Sequence, residues 1–168
     1  MSERDRDRRD RAAERQQEPK PITNTDLKAM RELRILDEAL ALPAGRELDA
    51  IVAVRCRGWR WVRYDWSQHW VLTHPGATFG HKTVRLEREP CEKFDDGYVP
   101  SYSTQLTVAF ELVQAAIDAG LAPWMVRDGY EGNWDVSMDA AGEWAASAPT
   151  LPLAICRAAL RWKWRDET

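Results

Sequence analysis

Apolar side chains recur every three or four residues in four segments of this chain, and this spacing is typical of amphipathic helices. The first segment covers residues 23–42. The second begins after Gly45 and ends at Gly58, since glycine readily adopts the left-handed conformation that terminates a helix. The residues predicted to face a core in these two helices are Leu27, Met30, Leu33, Leu36, Leu40, Leu48, Ile51, Val52 and Cys56.

The third and fourth helical segments carry clear start signals. Ser103 or Thr104 is the predicted N-cap of the third helix, which ends at Gly120. Thr150 is the predicted N-cap of the fourth helix, where Pro152 fits the first turn because N–H groups there need no helical acceptor. The predicted buried residues are Leu106, Ala109, Phe110, Val113, Ala116 and Ile117 in the third helix and Leu153, Ile155, Cys156, Ala159 and Leu160 in the fourth.

Two other segments are rich in the aromatic and β-branched residues that favour strands. Residues 59–74 predict an antiparallel pair, and residues 122–139 predict a hairpin whose turn lies at 129–132. Residues 75–101 predict a long irregular connection with a candidate strand at 84–86. The predicted faces of the second hairpin are Trp124, Val126, Trp134, Val136 and Met138 on one side and Arg127, Asp135, Ser137 and Asp139 on the other.

The order of these elements is α-α-β-β-α-β-β-α. Hairpins interleaved with helices predict an α+β fold with a mainly antiparallel sheet of about four strands. One domain is expected over residues 43–164, preceded by the helix at 23–42. Residues 1–22 are predicted to be a disordered tail, because seven basic and six acidic residues among the first twenty leave little to bury.

Charge and hydropathy indicate which partners and which cellular location to expect. Removing the tail's charges from the chain totals of 24 basic and 27 acidic residues leaves 17 and 21, so a general polyanion-binding surface is not expected. The polar N-terminus differs from a secretory signal, and no segment approaches the ~20 apolar residues that span a bilayer. We therefore expect a protein of the cytoplasm with no membrane partner.

Candidate chemistry is sparse in the sequence. Cys56, Cys91 and Cys156 lack the spacing of metal ligands, as do His74 and His81, so we expect free thiols, no bound metal and no cofactor. The chain has no nucleophile-elbow motif and no paired-carboxylate arrangement, which disfavours an enzyme.

The segment GWRWVRYDWSQHW, residues 58–70, holds four of the nine tryptophans. From Arg55 to Trp66, four arginines face a single acidic residue, Asp65. Arginine beside tryptophan suits a flat anionic ligand, through guanidinium contacts to phosphate and stacking on a base. The alternative is an ordinary hairpin whose tryptophans, notably Trp59, Trp61 and Trp70, fill a core. The candidate ligand-binding residues are Arg57, Arg60, Trp61, Arg63, Trp66 and Tyr102.

Three stretches together resemble the phage ABA sandwich domain, a small α-β-α layered domain of bacteriophage and prophage proteins. They are Gly45-Arg46-Glu47-Leu48-Asp49-Ala50 with the helix running to Gly58-Trp59, then Tyr102-Ser103-Thr104, then Pro152 with Ala154-Ile155-Cys156-Arg157-Ala158-Ala159-Leu160. The resemblance covers roughly residues 43–161 and implies an α-β-α sandwich and a phage origin.

The resemblance carries no catalytic residues with it. Small phage proteins of this kind are commonly accessory factors that bind host molecules, some by sequestering nucleotide signals of host defence. It therefore implies a non-enzymatic protein that binds a host-derived, nucleotide-like ligand. Two alternatives stay open: a protein-interaction module, which includes self-association into a homo-oligomer, and a single-stranded nucleic-acid binder, which the net negative charge disfavours.

Overall fold

A computed structural model describes residues 23–64, 70–77, 83–85 and 99–165. The chain divides into two compact units, Met1–Arg34 and Ile35–Thr168. The predicted tail at 1–22 and most of the predicted connection at 75–101 lie outside the described residues. The described elements are helices α1 (Asn24–Ala41), α2 (Arg46–Arg57), α3 (Leu106–Asp118) and α4 (Leu151–Arg165), and strands β1 (Arg60–Tyr64), β2 (Trp70–Thr73), β3 (Thr83–Arg85), β4 (Trp124–Arg127), β5 (Trp134–Ser137) and β6 (Ala146–Ala148).

The predicted apolar stripe of α1 is partly buried in its C-terminal half and exposed in its N-terminal half. Within the second unit, Leu36 and Leu40 pack against the core. Within the first unit, Leu27, Met30 and Leu33 are exposed. The periodicity of the sequence therefore predicts the helix correctly but does not tell which of its turns are covered.

Helix α2 follows its prediction closely. Leu48 and Val52 are buried, and Ile51 and Cys56 are partly covered. Gly58 has φ 68° and ψ 21°, the left-handed conformation that lets the chain leave the helix and enter β1 directly.

Helix α3 begins later than predicted. Gln105 occupies the N-cap position, and no side-chain hydrogen bond caps this end in the described residues. The predicted caps were wrong because the Ser103 hydroxyl is engaged by Gly45 instead. The buried face is Ala109, Leu112, Val113 and Ala116, whereas the predicted Leu106, Phe110 and Ile117 are exposed.

The strands form two three-stranded antiparallel sheets, in the orders β2-β1-β3 and β4-β5-β6. The α+β class and the antiparallel pairing were predicted correctly. The prediction of about four strands in one sheet was not confirmed, since six strands in two sheets are present in the described residues. Strand β6 was missed because its sequence, Ala-Ser-Ala, has no preference for strands.

The facing of the second hairpin was predicted wrongly. Met125 pairs with Val136 and Arg127 pairs with Trp134, so these four residues share one face. The loop 128–133 has an even number of residues, so odd-numbered positions of β4 lie opposite even-numbered positions of β5. Val126 therefore lies on the outer face, opposite Asp135.

Helix α4 is the centre of the second unit. The Thr150 carbonyl accepts the N–H of Ala154 at 3.0 Å, which confirms the predicted cap. The helix contacts α2, α3, β5 and β6, which explains why apolar residues surround most of it. All five predicted core residues of α4 are buried: Leu153, Ile155, Cys156, Ala159 and Leu160.

Candidate functional site

Strand β1 buries side chains on both of its faces. Trp61 is 4% exposed and lies opposite Leu72 in the core. Its neighbour Val62, which points to the other face, is 3% exposed. Arg60 is exposed. The ring of Trp61 is therefore a core group and is not available to stack an external ligand, whereas Arg60 begins a polar surface.

Arg57, the last residue of α2, joins two other polar side chains. Its Nη2 lies 3.5 Å from Oε2 of Glu111 on α3. Its guanidinium also hydrogen-bonds the hydroxyl of Tyr102, which is 1% exposed. The Arg57 and Glu111 side chains remain accessible to solvent, so this ion pair lies at the surface above a buried phenol.

Burial raises the pKa of Tyr102 to about 12, and the negative charge of Glu111 adds to the increase, while Arg57 opposes it. The phenol therefore stays protonated at physiological pH. A neutral phenol is a poor proton acceptor, and the hydroxyl of Tyr102 is engaged by the Arg57 guanidinium.

Basic residues cluster where α2 ends and β1 begins. Arg55 and Arg57 occupy the last turn of α2, where positive charge complements the helix dipole. The Arg55 guanidinium lies 4.2 Å from the ring centroid of Trp164, in cation–π contact. Arg60 follows across Gly58. We call the four residues Arg57, Arg60, Tyr102 and Glu111 the arginine edge.

An aromatic pair flanks the arginine edge. Trp59 and His74 meet edge to face with ring centroids 5.7 Å apart. Trp59 is partly buried against the core, as the packing interpretation predicted, while His74 is exposed. Of this pair, the imidazole is therefore the group that a ligand in solvent can reach.

The Gly45–Asp49 and Tyr102–Thr104 stretches are joined by a buried polar cluster. The N–H of Ser103 donates to Oδ1 of Asp49 at 2.6 Å. The N–H of Gly45 donates to the hydroxyl of Ser103 at 2.8 Å. Arg46 donates to the carbonyl of Val99 at 3.1 Å, which ties the same two segments together again. These contacts fix the start of α2 to the turn that precedes α3.

Desolvation raises the pKa of the buried Asp49 carboxyl, against the lowering effects of the Ser103 hydrogen bonds and of Arg46. Asp49 lies beside Leu48, Val52 and Ala53 on the buried face of α2. Its burial and its bonding to backbone make it a structural group, with no open position at which a substrate atom would meet it.

The structure places the predicted site residues in three different environments. Arg57 and Arg60 lie at the surface, and Tyr102 lies directly beneath Arg57. Trp61 lies in the core. Trp66 and the side chain of Arg63 lie outside the described residues.

Sequence reasoning missed two residues of this region. An acidic residue on the apolar face of α2 was a signal that Asp49 would be buried and bonded. Glu111 gave no comparable signal, since it belongs to the exposed side of α3 and meets Arg57 only through the tertiary fold.

The two thiols of the described residues differ in burial. Cys156 is a buried free thiol, and burial raises its pKa well above the ordinary range, which makes it a poor nucleophile. Cys56 is partly buried and takes part in no disulfide among the described residues. In the described ranges, no three His, Cys, Asp or Glu side chains are grouped as metal ligands would be.

No helix of the described residues combines the length and the apolar character that crossing a bilayer requires. Neither the curated proteins nor the solved structures include a significant match to the chain. The phage ABA sandwich domain matches residues 50–160, which is more than half of the 168 residues. This range contains most of α2, the Tyr102-Ser103 turn bonded to it, and the buried part of α4. The chain belongs to the phage ABA sandwich domain family.

Proposed function

We propose that this protein is a non-enzymatic phage accessory protein that binds an anionic, nucleotide-like molecule of the host cell at the arginine edge. The observation that carries the proposal is the hydrogen bond to Tyr102 that orients the guanidinium of Arg57, three positions before the exposed Arg60. Sequestration of a host defence signal is the role that such binding would serve.

Pre-orientation favours binding because an immobilised arginine loses less side-chain entropy when a ligand arrives. A guanidinium offers a planar set of donors that matches a phosphate. An incoming phosphate would compete with the Glu111 carboxylate for Arg57, and Arg60 would supply the second positive charge. Arg63 and Trp66 belong to this proposal through their sequence positions alone.

The absence of catalysis is also proposed, and three observations support it. Tyr102 holds its proton at neutral pH, Asp49 is bonded to backbone and sealed from solvent, and the Cys156 thiol is buried. Each of these three groups therefore lies beneath the surface that a ligand would reach.

Calorimetric titration of the purified chain with cyclic and linear nucleotides tests the proposal. We expect saturable binding of at least one nucleotide, and incubation should return that nucleotide unchanged. Arg60→Glu should abolish binding while moving stability by no more than ~0.5 kcal/mol, because an exposed side chain is replaced. Arg31→Glu, the same charge reversal at an exposed position of α1, is the matched control and should bind normally.

Absence of heat and of thermal stabilisation for every nucleotide up to millimolar concentration would eliminate nucleotide binding. Turnover of a bound nucleotide would eliminate the non-enzymatic role. Tight binding of single-stranded oligonucleotides that weakens steeply with salt would point to a nucleic-acid binder instead.

A protein-interaction module is the second candidate, and exposed apolar residues on α3 favour it. Leu106, Phe110 and Ile117 are each more than two-fifths exposed. Large apolar side chains that are exposed together on a surface often mark a protein-binding site. Capture of a host protein by the wild-type chain and not by Phe110→Asp would support this candidate. Equal capture by both would exclude the α3 surface.

A further inference from the structure

The two outer edges of the sheet β4-β5-β6 differ in what occupies their backbone groups. The N–H of Asp128 donates to the carbonyl of Asn133 at 2.8 Å, so Asp128 and Asn133 are a hydrogen-bonded pair that continues the β4–β5 ladder. Such pairs alternate with non-bonded pairs along an antiparallel ladder. Val126 and Trp124 therefore bond to β5, and the N–H and C=O groups of Met125 and Arg127 point away from the sheet.

The same alternation applies between β5 and β6, where Ala146 and Ala148 bond to β5. The carbonyls of Ala145 and Ser147 therefore point outward along the β6 edge. Both are already occupied. Arg157 donates to the carbonyl of Ser147 at 3.2 Å, and Arg161 donates to the carbonyl of Ala145. Helix α4 thus protects the β6 edge against the addition of another strand.

No hydrogen bond between described residues occupies the outward groups of Met125 and Arg127 on β4. Val126, between them, is 55% exposed on the outer face. An unprotected edge with an exposed β-branched residue is a template for strand pairing.

We infer that β4 is a homodimer interface, in which β4 of a second copy pairs antiparallel across a two-fold axis at Val126. The outward groups are self-complementary in this register. Met125 of each copy lies opposite Arg127 of the other copy. These two pairs use all four N–H and all four C=O groups that point outward. The result is a continuous six-stranded sheet, β6-β5-β4 followed by β4-β5-β6 of the second copy.

Neighbouring registers satisfy these groups less well. A two-fold axis at Arg127 would place like charges directly opposite each other, which is destabilising. An axis at Met125 would leave Arg127 of each copy facing the chain before β4, outside the strand. The axis at Val126 also brings the two exposed Val126 side chains together at a non-bonded pair, where Cα atoms approach to about 4.5 Å.

Sedimentation of the full chain over a range of concentrations tests this inference. We expect the wild type to form a dimer of twice the 19.3 kDa chain mass at micromolar to hundred-micromolar concentration. Arg127→Pro should be monomeric over this range, because proline removes an outward donor and no bond of the β4–β5 ladder. Arg127→Ala keeps the N–H and is the matched control, so it should remain dimeric. Thermal unfolding must show that both variants are folded.

The register is tested by Val126→Cys under mild oxidation, compared with wild type and with Tyr130→Cys. A Cα separation near 4.5 Å lies within the range for a disulfide, so Val126→Cys should cross-link to a dimer much faster than the fully exposed Tyr130→Cys. A wild type that stays monomeric would overturn the inference. A dimer that persists in folded Arg127→Pro, or a Val126→Cys chain that cross-links no faster than Tyr130→Cys, would overturn it equally.

Discussion

Replacing Asp49 tests the buried cluster that joins α2 to the turn before α3. Asp49→Ala removes the acceptor of the Ser103 N–H, whereas Asp49→Asn removes the charge and keeps an oxygen in the same place. The two variants therefore separate the hydrogen bond from the burial of charge.

The structure sets the size of each effect. Ser103 and Asp49 are both 1% exposed, so the N–H freed in Asp49→Ala has no solvent to bond. A buried donor without a partner costs about 1–3 kcal/mol, and Asp49→Ala should destabilise the fold by that amount. Asp49→Asn keeps a neutral hydrogen bond and relieves a buried charge, so it should stay within about 1 kcal/mol of wild type.

The pH dependence follows from the raised pKa of Asp49. In the unfolded chain this carboxyl titrates near its ordinary pKa of about 3.9. Between that pH and the raised pKa of the folded state, the folded protein holds a proton that the unfolded chain has released. The contribution of Asp49 to stability is fully present below the unfolded pKa and is lost as the pH rises through the folded pKa. Wild type should therefore gain stability relative to Asp49→Asn as the pH falls through this window.

Urea denaturation of the three proteins from pH 7 to pH 3.5 measures both effects. Equal stability of the Ala and Asn variants at pH 7 would refute the role of the Ser103 hydrogen bond. A difference in the free energy of unfolding between wild type and Asp49→Asn that does not change with pH would refute the claim that ionisation of this carboxyl destabilises the folded state.

Three further predictions concern the core, a loop and the arginine edge. Ile155→Ala should cost about 2–5 kcal/mol in urea denaturation, because Ile155 is fully buried at the centre of α4; a cost under 1 kcal/mol would contradict this. Burial acts to raise the pKa of Asp139, but hydrogen bonds from Ser137 and from the N–H groups of Trp144, Ala141 and Gly142 outweigh it and lower the pKa. Asp139→Asn should therefore be less stable than wild type at pH 7, and this difference in stability should close as the pH falls below about 4, whereas the contribution of Asp49 grows as the pH falls. A difference in melting temperature that stays constant with pH would contradict this. Glu111→Gln should raise nucleotide affinity a few-fold in calorimetry, because an exposed ion pair with Arg57 worth ~0.2–1 kcal/mol no longer competes; unchanged affinity would remove Arg57 from the site.

The helices were predictable because each is longer than two turns and carries a periodic apolar face. Two boundaries also have local causes: α2 ends at the left-handed Gly58, and α4 begins after Thr150. Burial within a helix was less predictable, since it depends on neighbours that are distant in sequence. Phe110 and Leu112 both suit a core, yet only Leu112 is buried in the folded unit.

The errors in the strands have the same origin. Alternation alone could not fix the facing of β4 and β5, because one residue more or less in the turn reverses it. Strand β6 is held by its pairing with β5 and by α4, and its own residues give no sign of it.

The candidate site could be predicted in composition but not in arrangement. The arginines at the end of α2 were visible in the sequence, and so was the alternation that separates Arg60 from Trp61. The ion pair of Arg57 with Glu111 could not be read from the sequence, because the partners lie far apart along the chain and are brought together by the fold.

The most direct test of the proposed function is native mass spectrometry of the chain purified from bacterial host cells. We predict that the wild type carries an anionic small molecule with the mass of a nucleotide, released on denaturation, and that folded Arg60→Glu purified in parallel carries none. A wild-type protein that is free of any bound molecule, even after exposure to a host metabolite extract, would contradict the account. So would a molecule retained equally by Arg60→Glu, because its binding would not depend on the arginine edge.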